Sequence, residues 1–132
     1  QFVGVRPATF ASATTSEIIM YCFHSVSGFS SIGSYTGNSD AGAAVVSLDF
    51  TPNFVMIKNT TTNGSNWAIY DTVRSTSNNR DKIIAFDTDL QDDTTGGNWI
   101  QINTNEFRTS TGSGTGTNKQ GDTFLYWAMK IN

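Results

Sequence analysis

No stretch of this chain repeats its apolar residues every three or four positions between helix caps, and that decides the fold class before anything else. The apolar residues come in short β-branched and aromatic runs: "AAVVSLDF", "NFVMIKN", "NWAIYDTV", "KIIAF", "NWIQIN", "EFRTS" and "TFLYWAMKI". Clusters of turn formers separate them: "TGNSDAG", "STSNNR", "DTDLQDDTTGG" and "TSTGSGTGTNKQGD". Short strands with polar turns predict an all-β protein, an antiparallel β-sandwich or jelly-roll-like module. In the last run, Phe124, Tyr126 and Ala128 share one side at strand period, and Leu125, Trp127, Met129 and Ile131 share the other. A strand apolar on both sides predicts a central position covered twice. Pro52 lacks an N–H for a ladder, so it belongs at a strand start or an edge. Asn63 and Gly64, between two strand runs, predict a hairpin. "SEIIMYCFHS" reads as a further strand that includes Tyr21 to Ser25. "SGFS" then reads as a turn into a short strand anchored by Phe29 and Tyr35.

The chain has 132 residues, which suits one domain. Residues 18–132 are expected to form a single β-sandwich. Residues 1–17, "QFVGVRPATFASATTSE", stand apart as an extended N-terminal arm. They carry Phe2, Val3, Val5 and Phe10 with no closing turn. Three readings stay open: an edge strand of the same domain, an arm lying on a neighbour or on a preceding domain, or a disordered terminus. On the second reading those four residues are assembly contacts. A start at Gln1 without Met reads as a processed chain or a piece of a longer one.

Only 14% of residues are charged, against roughly 25% in an average domain. Ser, Thr and Asn make up about a third of the chain, far above average usage. Such a hydroxyl and amide surface suits solvent-facing β structure and uncharged partners such as glycans. The net charge is −3 with no Lys/Arg cluster, which argues against nucleic-acid binding. No apolar run nears the roughly 18 residues of a membrane helix, so membrane insertion is not expected. The single Cys22 excludes an intrachain disulfide. A small extracellular domain without disulfides usually gains stability by oligomerisation or by assembly in the cytosol.

The tests for chemistry end without catalytic, cofactor-binding or metal residues. Cys22 and His24, two apart, would share one face of a strand. Catalytic Cys–His pairs usually come from separate elements, so a core cysteine and a hydrogen-bonded histidine is the expectation. One Cys and one His are too few for zinc. Asp87, Asp89, Asp92 and Asp93 crowd into "DTDLQDD" and offer oxygen ligands. Their spacing is not that of an EF-hand, and a solvated acidic loop is the plainer reading, with an ion site left open. Eleven acids give too many carboxylate pairs for any one to mark a glycosidase. Trp67, Trp99 and Trp127 could stack on sugars if exposed. Trp67 and Trp99 both follow Asn in similar contexts, and these two are the glycan-stacking candidates. Strand aromatics more often belong to cores.

Three blocks taken together carry a resemblance: "YCFHSVSGFSSIGSYTGN", "TPNFVMIKNTTTNGSNWAIYDTVR" and the closing "FLYWAMKIN". They resemble an uncharacterised C-terminal β module of tailed-phage virion proteins, abundant in marine viruses. It is found on tail fibres, spikes and capsid appendages, often after a lectin-like β-sandwich. The likeness runs in order from Met20 to Ile131. It departs at "SDAGAAVVSLDF", where such modules carry a Gly/Asp-rich step and an aromatic strand, and it is loose across "RDKIIAFDTDLQDD". The resemblance implies a virion structural protein of a tailed bacteriophage, assembled in the host cytoplasm. It would be displayed as a tail fibre or spike module or as a capsid decoration. Its partners would be other virion proteins, further copies of itself and, in an adhesive role, a host-surface glycan. The family offers no catalytic residues to carry over. Two other classes compete: a free carbohydrate-binding module, and, weakest, a glycan-degrading enzyme.

Overall fold

Period-two alternation of buried and open residues marks the strands directly. In β3 (Phe54–Asn59), Val55, Ile57 and Asn59 are buried while Phe54, Met56 and Lys58 are only half-buried. In β4 (Trp67–Asp71), Ala68 and Tyr70 are buried between half-buried neighbours. The computed structural model describes residues 22–39, 43–80, 82–85, 100–109 and 116–131. Its other strands are β1 (Ser30–Thr36), β2 (Val45–Ser47), β5 (Ile84–Ala85), β6 (Ile100–Asn103), β7 (Glu106–Thr109) and β8 (Thr123–Met129). They form a five-stranded sheet, β1-β8-β3-β4-β5, and a three-stranded sheet, β2-β7-β6. Every pairing is antiparallel. The fold is an all-β antiparallel sandwich, as the patterning predicts.

The two sheets share one core. Val46, Ile100, Ile102 and Phe107 of the small sheet meet Val55, Ile57, Ala68, Tyr70, Phe124 and Ala128 of the large one. Phe107 sits at the seam, edge-on to Tyr35 and to Tyr126, and Tyr35 stacks on Phe124 at 5.1 Å. Burying each such side chain contributes about 1.5–3 kcal/mol before strain and entropy are counted. Burial pushes the phenols of Tyr35 and Tyr70 up, so both stay neutral, and Tyr35 Oη donates to the Thr117 carbonyl at 2.7 Å.

The turns follow from their residues. The β3–β4 hairpin exists, but its connection spans residues 60–66. Only Gly64 takes positive φ there, 76°, so Asn63 and Gly64 do not form a two-residue hairpin turn, whose two favoured types both need positive φ at the first residue. Asn105, with φ 57°, makes the tight β6–β7 turn, and Asn tolerates that conformation best among non-glycines. Pro52 is buried two residues before β3, at a strand start as required.

Two expectations fail. Residues 22–25 are not strand, and Cys22 and His24 are exposed instead of buried. The turn at residues 27–29 folds the incoming chain back onto β1, with one bridge between Val26 and Ser30. The ladder stops there, because the Ile32 amide donates to Ser25 Oγ instead of to a backbone carbonyl. The same turn leaves Phe29 exposed, so only Tyr35 anchors β1. The second failure concerns β8. It lies between β1 and β3, but the three-stranded sheet packs on one side of it alone. Leu125 is exposed and Trp127 and Met129 are half-buried. Phe2, Val3, Val5, Phe10, Trp99, Asp87, Asp89, Asp92 and Asp93 lie outside the described residues.

Candidate functional site

Two places in the fold gather side chains of chemical interest. The first is a polar knot at one end of the sandwich, where β3, β8 and the chain after β1 converge. Asp122 Oδ2 accepts from Asn59 Nδ2 at 2.8 Å and from Thr62 Oγ1 at 2.7 Å. Lys119 Nζ donates to Thr62 Oγ1 at 2.8 Å and lies 3.6 Å from Asp122. Hydrogen bonds from Asn59 and Thr62, helped by the Lys119 charge, hold the Asp122 carboxyl below its usual range. Asn59 Oδ1 accepts the amides of Thr61 and Thr62. Asn118 Oδ1 accepts the Asn38 amide at 2.9 Å. Gly37 is needed here because its backbone runs against the Lys119 carbonyl, so close that any Cβ would collide with it. Asp122 Oδ2 and Asn59 Oδ1 are both engaged in closing loops, so the knot is built as a clasp.

The other polar pairs are also local. Asp49 Oδ2 accepts from Ser27 Oγ at 2.6 Å and from the Gly28 amide at 3.0 Å, fixing the turn before β1. These bonds lower its carboxyl. Burial raises Asp71, but the Arg74 amide and guanidinium more than offset this and hold it below the usual range. Arg74 Nε lies 2.5 Å from its Oδ2. Among the described residues no three His, Cys, Asp or Glu side chains gather as a metal would require.

The second place is the outer face of the five-stranded sheet. Register sets one residue from each strand into a single cross-strand row. Ile32 pairs with Trp127, Trp127 with Met56, Met56 with Ile69, and Ile69 with Ile84. All five are apolar and none is fully buried. The row spans the whole sheet, roughly 19 Å at strand spacing. Flanking it, Phe54 packs edge-on to Trp127 at 5.9 Å. Phe23 lies on the Trp127 ring at 4.0 Å and is still 55% exposed. The next row reads Ser34, Leu125, Lys58 and Trp67. A contiguous apolar face with a partly polar border marks an interaction surface.

Trp67 and Trp127 therefore do share a face. They are not adjacent: β3 runs between them, with Lys58 opposite Trp67 and Met56 opposite Trp127. Trp67 stays a candidate stacking residue by position, and Trp127 is already taken by Phe23 and Phe54. The row itself is not evident from any one run, because it appears only when four registers are laid side by side. A signal was nonetheless present: Met56 in "FVMIKN" and Ile69 in "WAIYD" are apolar at the parity that should face water.

The chain belongs to the family of the domain of unknown function DUF7483, whose model matches residues 2–131. No curated protein and no solved structure matches it.

Proposed function

We propose that this member of the DUF7483 family is a virion structural protein of a tailed bacteriophage, displayed as a tail fibre or spike module or as a capsid decoration. It works by binding and not by turnover. The three-block resemblance to tail-appendage modules motivates the reading. The structural observation that carries it is the apolar row from Ile32 to Ile84 on a sparsely charged, hydroxyl-rich chain. Such a face suits packing against another polypeptide. The titratable side chains Asp49, Asp71, Glu106 and Asp122 support it further, each being bound into a local hydrogen-bond set. Many copies on one particle would turn weak contacts into firm attachment. Homo-oligomerisation, other virion proteins as partners and residence in the particle belong to the same proposal.

Immunogold electron microscopy of purified particles tests it. Gold on the tail appendages or at capsid lattice positions is the expected result. Gold on no virion component overturns it.

A second reading rests on Trp67, half-buried on the outer face of β4 beside Lys58: a glycan-binding surface, since an aromatic ring on a sheet face can stack on a sugar. Saturable glycan binding that Trp67→Ala abolishes would establish it. Binding that survives Trp67→Ala would remove it.

A further inference from the structure

The loop between β3 and β4 is tied down almost residue by residue. The Thr60 amide and Oγ1 both donate to the Thr123 carbonyl at 2.9 Å. Thr61 Oγ1 accepts the Thr123 amide at 2.9 Å, and the Thr61 and Thr62 amides donate to Asn59 Oδ1. Thr62 Oγ1 joins Asp122 and Lys119, and Lys58 Nζ donates to the Ser65 carbonyl. Asn63 and Gly64 lie between these anchors as the two central residues of a turn, both exposed. Among the described residues, neither the Asn63 side chain nor the Gly64 amide has a hydrogen-bond partner. A Cβ placed on Gly64 would meet nothing within 4 Å.

An asparagine side-chain amide lies within reach of the backbone nitrogen that follows it. Attack of that nitrogen on Cγ closes a cyclic succinimide and expels ammonia. Water then opens the ring at either carbonyl, leaving aspartate or isoaspartate. The step requires an attacking amide that no acceptor holds and an Asn side chain free to turn. It also requires little bulk on the following residue, and glycine, without a Cβ, has the least. Asn63–Gly64 is the only Asn-Gly pair in the chain, and it meets every requirement. Asn38–Ser39 has the next smallest follower but is held at both atoms. Asn38 Nδ2 donates to the Ala43 carbonyl at 3.3 Å, and the Ser39 amide donates to the Asn118 carbonyl at 3.1 Å. Asn59 is held likewise, with Nδ2 on Asp122 and the Thr60 amide on Thr123.

We infer that Asn63 is a self-modification site, converted to aspartate and isoaspartate by attack of the Gly64 nitrogen on its side chain. Hydroxide removes the Gly64 amide proton. The new N–Cγ bond forms, the Cγ–Nδ2 bond breaks, and the departing nitrogen takes a proton from water to leave as ammonia, which restores the hydroxide. Hydrolysis of the succinimide then consumes a water, and nothing is oxidised or reduced. Either product sets a new carboxylate one residue from Thr62, whose hydroxyl joins Asp122 and Lys119. Isoaspartate also routes the backbone through the former side chain, which lengthens the loop by a methylene. The inference goes beyond the virion reading and does not depend on it, because it concerns the chain on or off a particle.

The test incubates the folded protein, and the same chain in denaturant, in water enriched in heavy oxygen at mildly alkaline pH. Both are then digested and read by peptide mass spectrometry. Asn63 in the folded protein should convert within severalfold of its rate in the denatured chain. Its product should carry heavy oxygen and include isoaspartate, while Asn38 and Asn59 stay amides. Suppression of Asn63 conversion by many-fold on folding would overturn the inference, because it would show the Gly64 amide or the Asn63 side chain held in solution. Aspartate without isoaspartate would overturn it as well, because direct hydrolysis of the side chain gives aspartate alone.

Discussion

The two faces of the five-stranded sheet use the same strands and differ in what they meet. On the inner face, Val55, Ile57, Tyr70, Phe124 and Ala128 are fully buried against the small sheet. On the outer face, Ile32, Met56, Ile69, Trp127 and Ile84 are almost as apolar, yet all keep part of their surface open. A sheet that needed only to float on its partner would carry polar residues on the outside. The inner face meets the three-stranded sheet. On the outer face, among the described residues outside the sheet, Phe23 lies on the Trp127 ring.

Substitutions on the two faces should separate these roles. The largest effect is expected at the inner seam. Phe107→Ala removes a fully buried ring that touches Tyr35 and Tyr126, and should cost about 3–5 kcal/mol in denaturant unfolding. A loss under 1 kcal/mol would mean that the sheets are not packed as described. Gly37→Ala should cost about 1–3 kcal/mol, because the new methyl meets the Lys119 carbonyl, which is backbone and cannot turn away. Free tolerance of alanine there would show that the loop clasp is looser than its geometry.

Asp122 gives a subtler signature. Its carboxyl is held below the usual range by Asn59 and Thr62, so the unfolded chain binds its proton first as pH falls. The contribution is therefore complete above the unfolded value of about 3.9 and is lost as pH drops toward the lower folded value. Asp122→Asn should flatten this acid part of the stability curve. An unchanged slope between about pH 4 and pH 2 would show that the clasp carries no charge-dependent strength. The smallest effect belongs to the outer face. Leu125→Ser, at a position 45% exposed, should change stability by under about 0.5 kcal/mol. A much larger loss would show Leu125 buried by something in solution.

The inner half of the sandwich was legible in the sequence, and the reason is periodicity. "FVMIKN", "WAIYD", "EFRT" and "TFLYWAM" each read as strand, and each is one. The wrong readings arose where a run's local character was right but its tertiary place was taken. "CFHS" is β-prone, yet β1 already occupies the sheet edge, so residues 22–25 lie on the surface as irregular chain. "TFLYWAMKI" was rightly read as apolar on both sides, but a single small sheet covers one side. The candidate face was only half legible. Trp67 could be named as a candidate stacking ring, but the row linking Ile32 to Ile84 depends on four pairing registers that no single run encodes. Asp122 and Asn59 escaped notice for a similar reason: 63 residues separate them, and Asp and Asn in loops are ordinarily turn formers.

The account hinges on the two sheets sharing one core across the Phe107 seam. Side-chain nuclear Overhauser contacts report this most directly. The account predicts contacts from the Phe107 ring of the small sheet to the Tyr35 and Tyr126 rings of the large one. Their absence in the folded protein would contradict it.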